Sequence, residues 1–209
     1  MDKRIDQPAG YLRRRGGVIE LSIAPTPKAI APIFFSIIDS IVGPVMVAGT
    51  NRGLCWIGIH DSPEYLEAEL CRDHPEAKIA RDDIEVSKLT RTVTAEINGT
   101  APHFELPLDV RATAFQLAVW RELCAIPRGA TRSYGEIARR LGRPEASRAV
   151  GHANGSNPLA ILIPCHRAIG SNGALTGYRW GLDYKRRLLE LEGAPLQRTL
   201  SSTHSSRID

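Results

Sequence analysis

The residue types able to do covalent chemistry crowd into one tetrapeptide, Pro164-Cys165-His166-Arg167, at the end of an apolar run over residues 159–163. A cysteine attacks as its thiolate, so a nucleophilic role needs a base or a positive charge beside it. The imidazole and the guanidinium that follow Cys165 supply both. A buried strand over residues 159–163 accounts for the apolar run, and Pro164 for its end. Neither accounts for a thiol, an imidazole and a guanidinium placed together. Asn157-Pro158 stands just ahead of the run.

Two further segments bear on this one. Leu182, Leu188, Leu189 and Leu191 mark the apolar positions of a final helix. Glu192 follows Leu189 by three residues and Leu188 by four, which turns it toward the core. A carboxylate there needs a partner, and His166 or an arginine is the natural one. Alternatively the helix frays before Gly193 and Glu192 is solvated. Glycine recurs at 173, 177 and 181, with Tyr178, Arg179 and Trp180 between the last two. That composition suits the wall of a pocket for a planar ligand, or an ordinary surface loop.

These groups are positioned by elements with strong local signals. Thr113 to Gln116 and Ser133 to Glu136 fit capping boxes. After the first, Phe115, Leu117, Ala118, Val119, Trp120 and Leu123 predict a central buried helix. After the second, Tyr134, Ile137, Ala138 and Leu141 follow helical spacing up to Gly142. Pro144 opens another helix, with Ala146, Ala149, Val150 and Ala153 on the same spacing. The pair reads as a helix-turn-helix. The outer face of its second helix is Arg148 among Ala149, Gly151 and Gly155. That is poor in the long polar side chains that read base edges in a major groove, and fits backbone or minor-groove binding better. Tight helix packing with a solvated arginine is the plainer alternative.

The chain has 209 residues, 43% hydrophobic and 24% charged, with net charge +4. No apolar run approaches the ~20 residues of a membrane span, and the amino terminus lacks a signal-peptide pattern; a soluble, cytoplasmic protein is expected. Residues 111–192 hold 13 Lys and Arg against 6 Asp and Glu, a basic portion suited to a polyanion. Residues 33–108 predict a small α/β scaffold. Its strands lie near 34–38, 45–48 and 54–59, a helix opens at Ser62-Pro63-Glu64, and a second follows Val86, Leu89, Thr90, Val93 and Ile97. Residues 1–32 and 195–209 read as flexible tails. Cys55, Cys71 and Cys124 read as small buried hydrophobes, with no zinc spacing and no disulfide framework.

Pro164-Cys165-His166-Arg167, with Asn157-Pro158 before it and Gly177-Tyr178-Arg179-Trp180-Gly181 after it, resembles the O6-alkylguanine-DNA alkyltransferases, most nearly the C-terminal half of the bacterial Ada proteins. The resemblance spans residues 33–193. It implies an RNase H-like N-terminal α/β unit followed by a mostly helical, winged helix-turn-helix domain at 109–194. It implies direct, single-turnover transfer of an alkyl group from O6 of guanine, or O4 of thymine, in double-stranded DNA to the protein's own cysteine, by a monomer without cofactor or metal. Cys165 would be the acceptor, His166 the base acting through a water, Glu192 its orienter and Asn157 a support. Tyr134 would bond the base ring. Arg148 would fill the gap left by the everted nucleotide, with Ala146, Ala149, Gly151 and Arg167 also toward DNA. Ile169, Tyr178, Arg179 and Trp180 would line the base pocket, the last two narrowing it against bulky groups. The chain shows no counterpart to Ada's zinc-cysteine cluster. The rival readings are a non-catalytic lesion binder of the alkyltransferase-like type, which Cys165 disfavours, a sequence-specific regulator, and a cysteine hydrolase.

Overall fold

Fifteen elements follow one another in the computed structural model, which describes residues 10–15, 17–23, 30–101 and 103–195. They are β1 (Gly10–Arg15), β2 (Val18–Ile23), β3 (Ile33–Ile38), β4 (Val45–Thr50), β5 (Gly53–Ile59), α1 (Pro63–Asp73), β6 (Ile79–Arg81), α2 (Ser87–Ile97), β7 (Phe104–Pro107), α3 (Ala114–Cys124), β8 (Arg132–Ser133), α4 (Tyr134–Arg140), α5 (Ser147–Gly155), β9 (Ala168–Ile169) and α6 (Leu182–Leu191). The first half is mixed α/β and the second is mostly helical, as the sequence predicts.

The three central strands form an antiparallel meander, and β6 returns through α1 to lie parallel to β3, in the order β5-β4-β3-β6. Every residue of β5 is buried, which its apolar composition permits. Ser62 caps α1 by accepting from the Tyr65 amide, with Pro63 in the first turn. On α2, Leu89, Val93 and Ile97 are buried. At Gly53 φ is +148°, and a Cβ would collide with the backbone of Pro107; only glycine fits where β5 starts against the end of β7.

The expected N-terminal tail is instead a hairpin. β1 lies between β2 and β7, with Leu12 opposite Leu21 on one side and Leu106 on the other. Alternating Ile19 and Leu21 are buried with it. Two arginines of β1 are paired: Arg13 donates to Glu105 at 2.7 Å and Arg14 to Glu96 at 2.7 Å. Their partners lie more than 80 residues away, so no local signal announces the strand. Residues 1–9, 24–29 and 196–209, the rest of the expected tails, lie outside the described residues.

Both predicted capping boxes are present, on α3 and α4. α3 buries one face (Val119, Trp120, Leu123 and Cys124), while Phe115, Leu117 and Ala118 are only half-buried. The Trp120 indole donates to the Ala153 carbonyl at 2.8 Å, tying α3 to α5. Gly142, at φ +69°, ends α4 in a left-handed conformation, and a 3-10 turn over Pro144–Ala146 leads into α5. Val150 and Ala153 face inward, and Arg148 and Ala149 outward.

If residues 10–23 belong to the folded unit, Leu12→Ala should lower unfolding free energy by about 2–5 kcal/mol in urea, the cost of a buried leucine cavity. An unchanged midpoint would return the segment to a tail.

Candidate active site

The segment before Cys165 is held by one amide. Asn157 is buried; its Oδ1 accepts from the Leu159 amide at 2.9 Å, and its Nδ2 donates to the Ile163 carbonyl at 2.9 Å and to Cys165 Sγ at 3.1 Å. The backbone turns back on itself, Ile163 N to Leu159 O at 3.0 Å, with Ile161 at φ +73°. The strand expected over residues 159–163 is therefore absent. Leu159 makes a single parallel bridge to Ile57, and the Ile57 amide donates to the Pro158 carbonyl at 2.7 Å. The apolar run is buried on all sides because it fills the core as a turn. A β-branched residue at positive φ is strained; here the Asn157 side chain replaces the hydrogen bonds a strand would make. The edge of the N-terminal sheet thus reaches to within a few residues of the thiol.

Cys165, His166 and Arg167 form a buried 3-10 turn. His166 Nε2 lies 2.9 Å from Glu192 Oε1. Arg167 donates through Nε to Glu192 Oε2 and through Nη2 to Glu192 Oε1, both at 2.8 Å, and through Nη1 to the Ile126 carbonyl at 2.6 Å. Glu192 is the C-cap of α6, and its side chain is 5% exposed. Burial pushes its carboxyl upward, but the bonds from His166 and Arg167 overrule this and hold it well below the usual carboxylate range. The carboxylate is an acceptor, so His166 carries its proton on Nε2 and keeps the lone pair on Nδ1. Nδ1 is buried and has no hydrogen-bond partner among the described residues. It is a base held in one tautomer, in a ring that burial keeps neutral.

A loop closes the site from the other side. The Tyr134 hydroxyl donates to the Thr176 carbonyl at 3.1 Å, and Lys185 Nζ donates to the same carbonyl at 2.7 Å and to that of Gly177 at 3.3 Å. Lys185 is wholly buried, and desolvation brings its ammonium down to about 8. The Tyr178 hydroxyl is buried without a partner among the described residues, and burial raises its pKa well above the ordinary value. Burial likewise raises Tyr134. Both phenols are donors at neutral pH. Burial also pushes the Cys165 thiol up, against the Asn157 hydrogen bond and the charge of Lys185 that pull it down. The tetrapeptide suggests a thiol activated by its neighbours. In the resting fold desolvation wins, and the thiol is protonated.

Of the residues singled out from the sequence, Asn157 meets the Cys165 thiol and Glu192 meets the His166 ring; the two pairs are joined through the adjacent positions 165 and 166, with Tyr134 and Tyr178 at the neighbouring loop. Arg148 and Ala149 are exposed on α5, Ala146 and Gly151 half-buried, and Cβ atoms built at Gly151 and Gly155 meet open space. Ile169 is half-buried in the short β8–β9 ladder. Three side chains make contacts that a reading of the sequence does not anticipate. Arg167 is buried on Glu192 rather than facing DNA, because the carboxylate claims it. Arg179 binds Glu69 at 3.1 Å and Asp73 at 2.7 Å on α1, and buried Trp180 packs on Trp56. The expected narrowing of the base pocket rested on those two side chains, which are engaged by the N-terminal half. Arg179 also lines a cavity of about 480 Å³, with Arg52, Asp73, His74 and Asp109, that reaches none of Cys165, His166 or Glu192. Among the other cysteines, Cys55 and Cys124 are buried but Cys71 is exposed. Lys185 escapes a reading of the sequence because it sits in a Lys-Arg-Arg run; its seven-residue spacing from Glu192 on an amphipathic helix is the signal that places both on one face.

Residues 114–194 match the family described as 6-O-methylguanine DNA methyltransferase, DNA binding domain. The chain is 41% identical over 162 residues to a methylated-DNA–protein-cysteine methyltransferase of Methanosarcina acetivorans, covering 78% of this chain and 99% of that protein. It is 42% identical to the bifunctional transcriptional activator and DNA repair enzyme Ada of Escherichia coli, over 76% of this chain and 45% of Ada. Among solved structures, Mycobacterium tuberculosis OGT in complex with DNA superposes with a TM-score of 0.64 at 43% identity, covering 78% of this chain and 95% of that one.

Glu192→Gln should cost about 3–5 kcal/mol, because it leaves the buried Arg167 without its counter-charge. The depressed carboxyl pKa also fixes a sign. The stability that Glu192 contributes is present above its unfolded value of about 4.3 and is lost as pH falls through the lower folded value. Urea titrations from pH 6 to pH 2 should therefore show a shallower acid loss in the variant; parallel curves would contradict the assignment.

Proposed function

The chain belongs to the methylated-DNA–protein-cysteine methyltransferase family, and from that premise we propose that it repairs DNA by moving an alkyl group from O6 of guanine, or O4 of thymine, onto its own Cys165. The observation that carries this reading is the buried thiol in contact with Asn157, beside an imidazole that a carboxylate fixes as a base. In the reaction the thiol loses its proton to His166 Nδ1 through a water. The sulfur attacks the alkyl carbon in line, the S–C bond forms, the C–O6 bond breaks, and guanine leaves with a proton taken up on its ring. Tyr134, a phenol kept protonated by burial, turns its hydroxyl proton from the Thr176 carbonyl to the ring as negative charge grows there. The resulting thioether is not cleaved by water, so each molecule acts once.

The target carbon lies inside the base stack, so the nucleotide has to be everted, at a cost of a few kcal/mol. α4 and α5 act as the winged helix-turn-helix, on an RNase H-like N-terminal scaffold. The small residues of α5 let its backbone approach the groove, and Arg148 projects into the vacated stack. Such a face binds double-stranded DNA without reading sequence. The protein works as a cytoplasmic monomer, without cofactor or metal. A lesion binder that only flips the base would have no use for the assembled Asn157, Cys165, His166 and Glu192 network.

Incubation with a duplex carrying O6-methylguanine should add one methylene mass to the peptide containing Cys165, saturating at one per molecule, and Cys165→Ala should bind the duplex without transfer. No mass gain, or gain elsewhere in the chain, would sink the reading. Arg148→Ala should slow transfer from the duplex about 10–100-fold, reflecting the eversion cost, while leaving reaction with free O6-methylguanine base near that of the parent; equal losses on both would remove Arg148 from eversion.

A further inference from the structure

The loop that closes the site is pinned at both ends by different halves of the molecule. On the C-terminal side, Lys185 and Tyr134 hold the carbonyls of Thr176 and Gly177. On the N-terminal side, α1 and β5 hold the two residues just beyond Tyr178. Arg179 Nη2 meets Asp73 Oδ2 at 2.7 Å and Glu69 Oε2 at 3.1 Å. The same Asp73 oxygen accepts the Trp56 indole N–H at 2.8 Å. The Trp180 ring meets the Trp56 ring edge-on, with centroids 5.2 Å apart and planes at 87°, and the Arg179 guanidinium lies 5.0 Å from the Trp180 centroid. Gly58 makes the room, since a Cβ there would stand 2.8 Å from the Trp180 ring.

This cluster is more than a surface ion pair. Glu69 is buried at 6% exposure, Arg179 is at 18% and Asp73 at 27%, so the charges are partly desolvated and the pairing is directional. Two carboxylates, an indole and a guanidinium fix one another's positions. Arg72 on α1 also binds Glu69, which leaves Arg179 the link from α1 to the loop. Tyr178, whose unpartnered hydroxyl lies buried near Cys165 and Glu192, sits between the two pins. Its place follows from both.

We propose that Glu69, Asp73 and Trp56 are positioning residues for the repair site: the N-terminal half anchors the base-pocket loop through Arg179 and Trp180, and so holds Thr176, Gly177 and Tyr178 where the everted base must dock. None of the three touches the reacting atoms. They act through the loop, and their loss should be felt in the transfer step and not in the affinity of α5 for DNA. The inference rests on the repair reading; transfer by the unsubstituted protein tests that reading, and the variants test the anchor.

The experiment is single-turnover transfer from an O6-methylguanine duplex, with the limiting rate and the half-saturating DNA concentration measured separately. Glu69→Gln/Asp73→Asn should lower the limiting rate about tenfold or more, with half-saturation within about twofold. Asp73→Glu, which keeps the carboxylate, should recover most of the rate. Arg179→Met should give a similar loss, and combining it with Asp73→Asn should be no worse than Arg179→Met alone, since both remove the same link. An unchanged limiting rate, a loss confined to DNA affinity, or additive losses in the combined variant would overturn the proposal. Asp73→Asn alone keeps an acceptor for the Trp56 indole, so it supplies the same comparison if the double variant does not fold.

Discussion

The Glu192 carboxylate is the constraint on which the site depends. It is buried at the end of α6, and a lone charge there would be prohibitively costly. Two parallel bonds from Arg167 neutralise it, a third interaction fixes His166, and Arg128 at 3.9 Å and the Gly129 amide at 3.5 Å also approach it. Arg167 in turn reaches the Ile126 carbonyl just beyond α3. One carboxylate therefore ties together α6, the turn after α3 and the 3-10 turn that carries the thiol. It also decides the chemistry of the imidazole, because an acceptor at Nε2 leaves Nδ1 as the base.

Around that clamp, burial sets the resting state. Desolvation keeps the Cys165 thiol protonated, against the Asn157 hydrogen bond and the Lys185 charge that favour its anion. The N-terminal half contributes through backbone as well as side chains. Ile57 bonds Pro158 just ahead of the thiol's turn, and the indole and acids of β5 and α1 hold the loop across from it. The scaffold therefore bears on both walls of the site.

Much of this was legible in short-range codes. Capping boxes at Thr113 and Ser133 depend on residues three apart, and both formed. Glu192 could be turned inward from its spacing to Leu188 and Leu189 alone. Most of the differences involve partners distant in the chain. Arg167 reads as a surface cation until Glu192, 25 residues later, is seen to bury it. Arg179 and Trp180 read as pocket walls until α1 and β5, more than 100 residues earlier, are seen to engage them. The hairpin over residues 10–23 was hidden by arginines whose acids lie on α2 and β7. The apolar run before Cys165 has a strand's composition, but the side chain of Asn157 supplies hydrogen bonds that composition does not encode, and folds it into a turn. Lys185 was invisible because a buried lysine and a solvated one look alike in a basic run.

The central claim is that an everted base brings its alkyl carbon against residue 165 at the end of this carboxylate-anchored network. A crystal structure of Cys165→Ser bound to a duplex containing O6-methylguanine tests it most directly. The guanine should stand outside the helix, its methyl carbon within about 3–3.5 Å of the substituted side chain's oxygen, with the Tyr134 hydroxyl at its ring and Arg148 in the vacated stack. A guanine still stacked in the duplex, or everted with its methyl group turned away from position 165, would contradict the account.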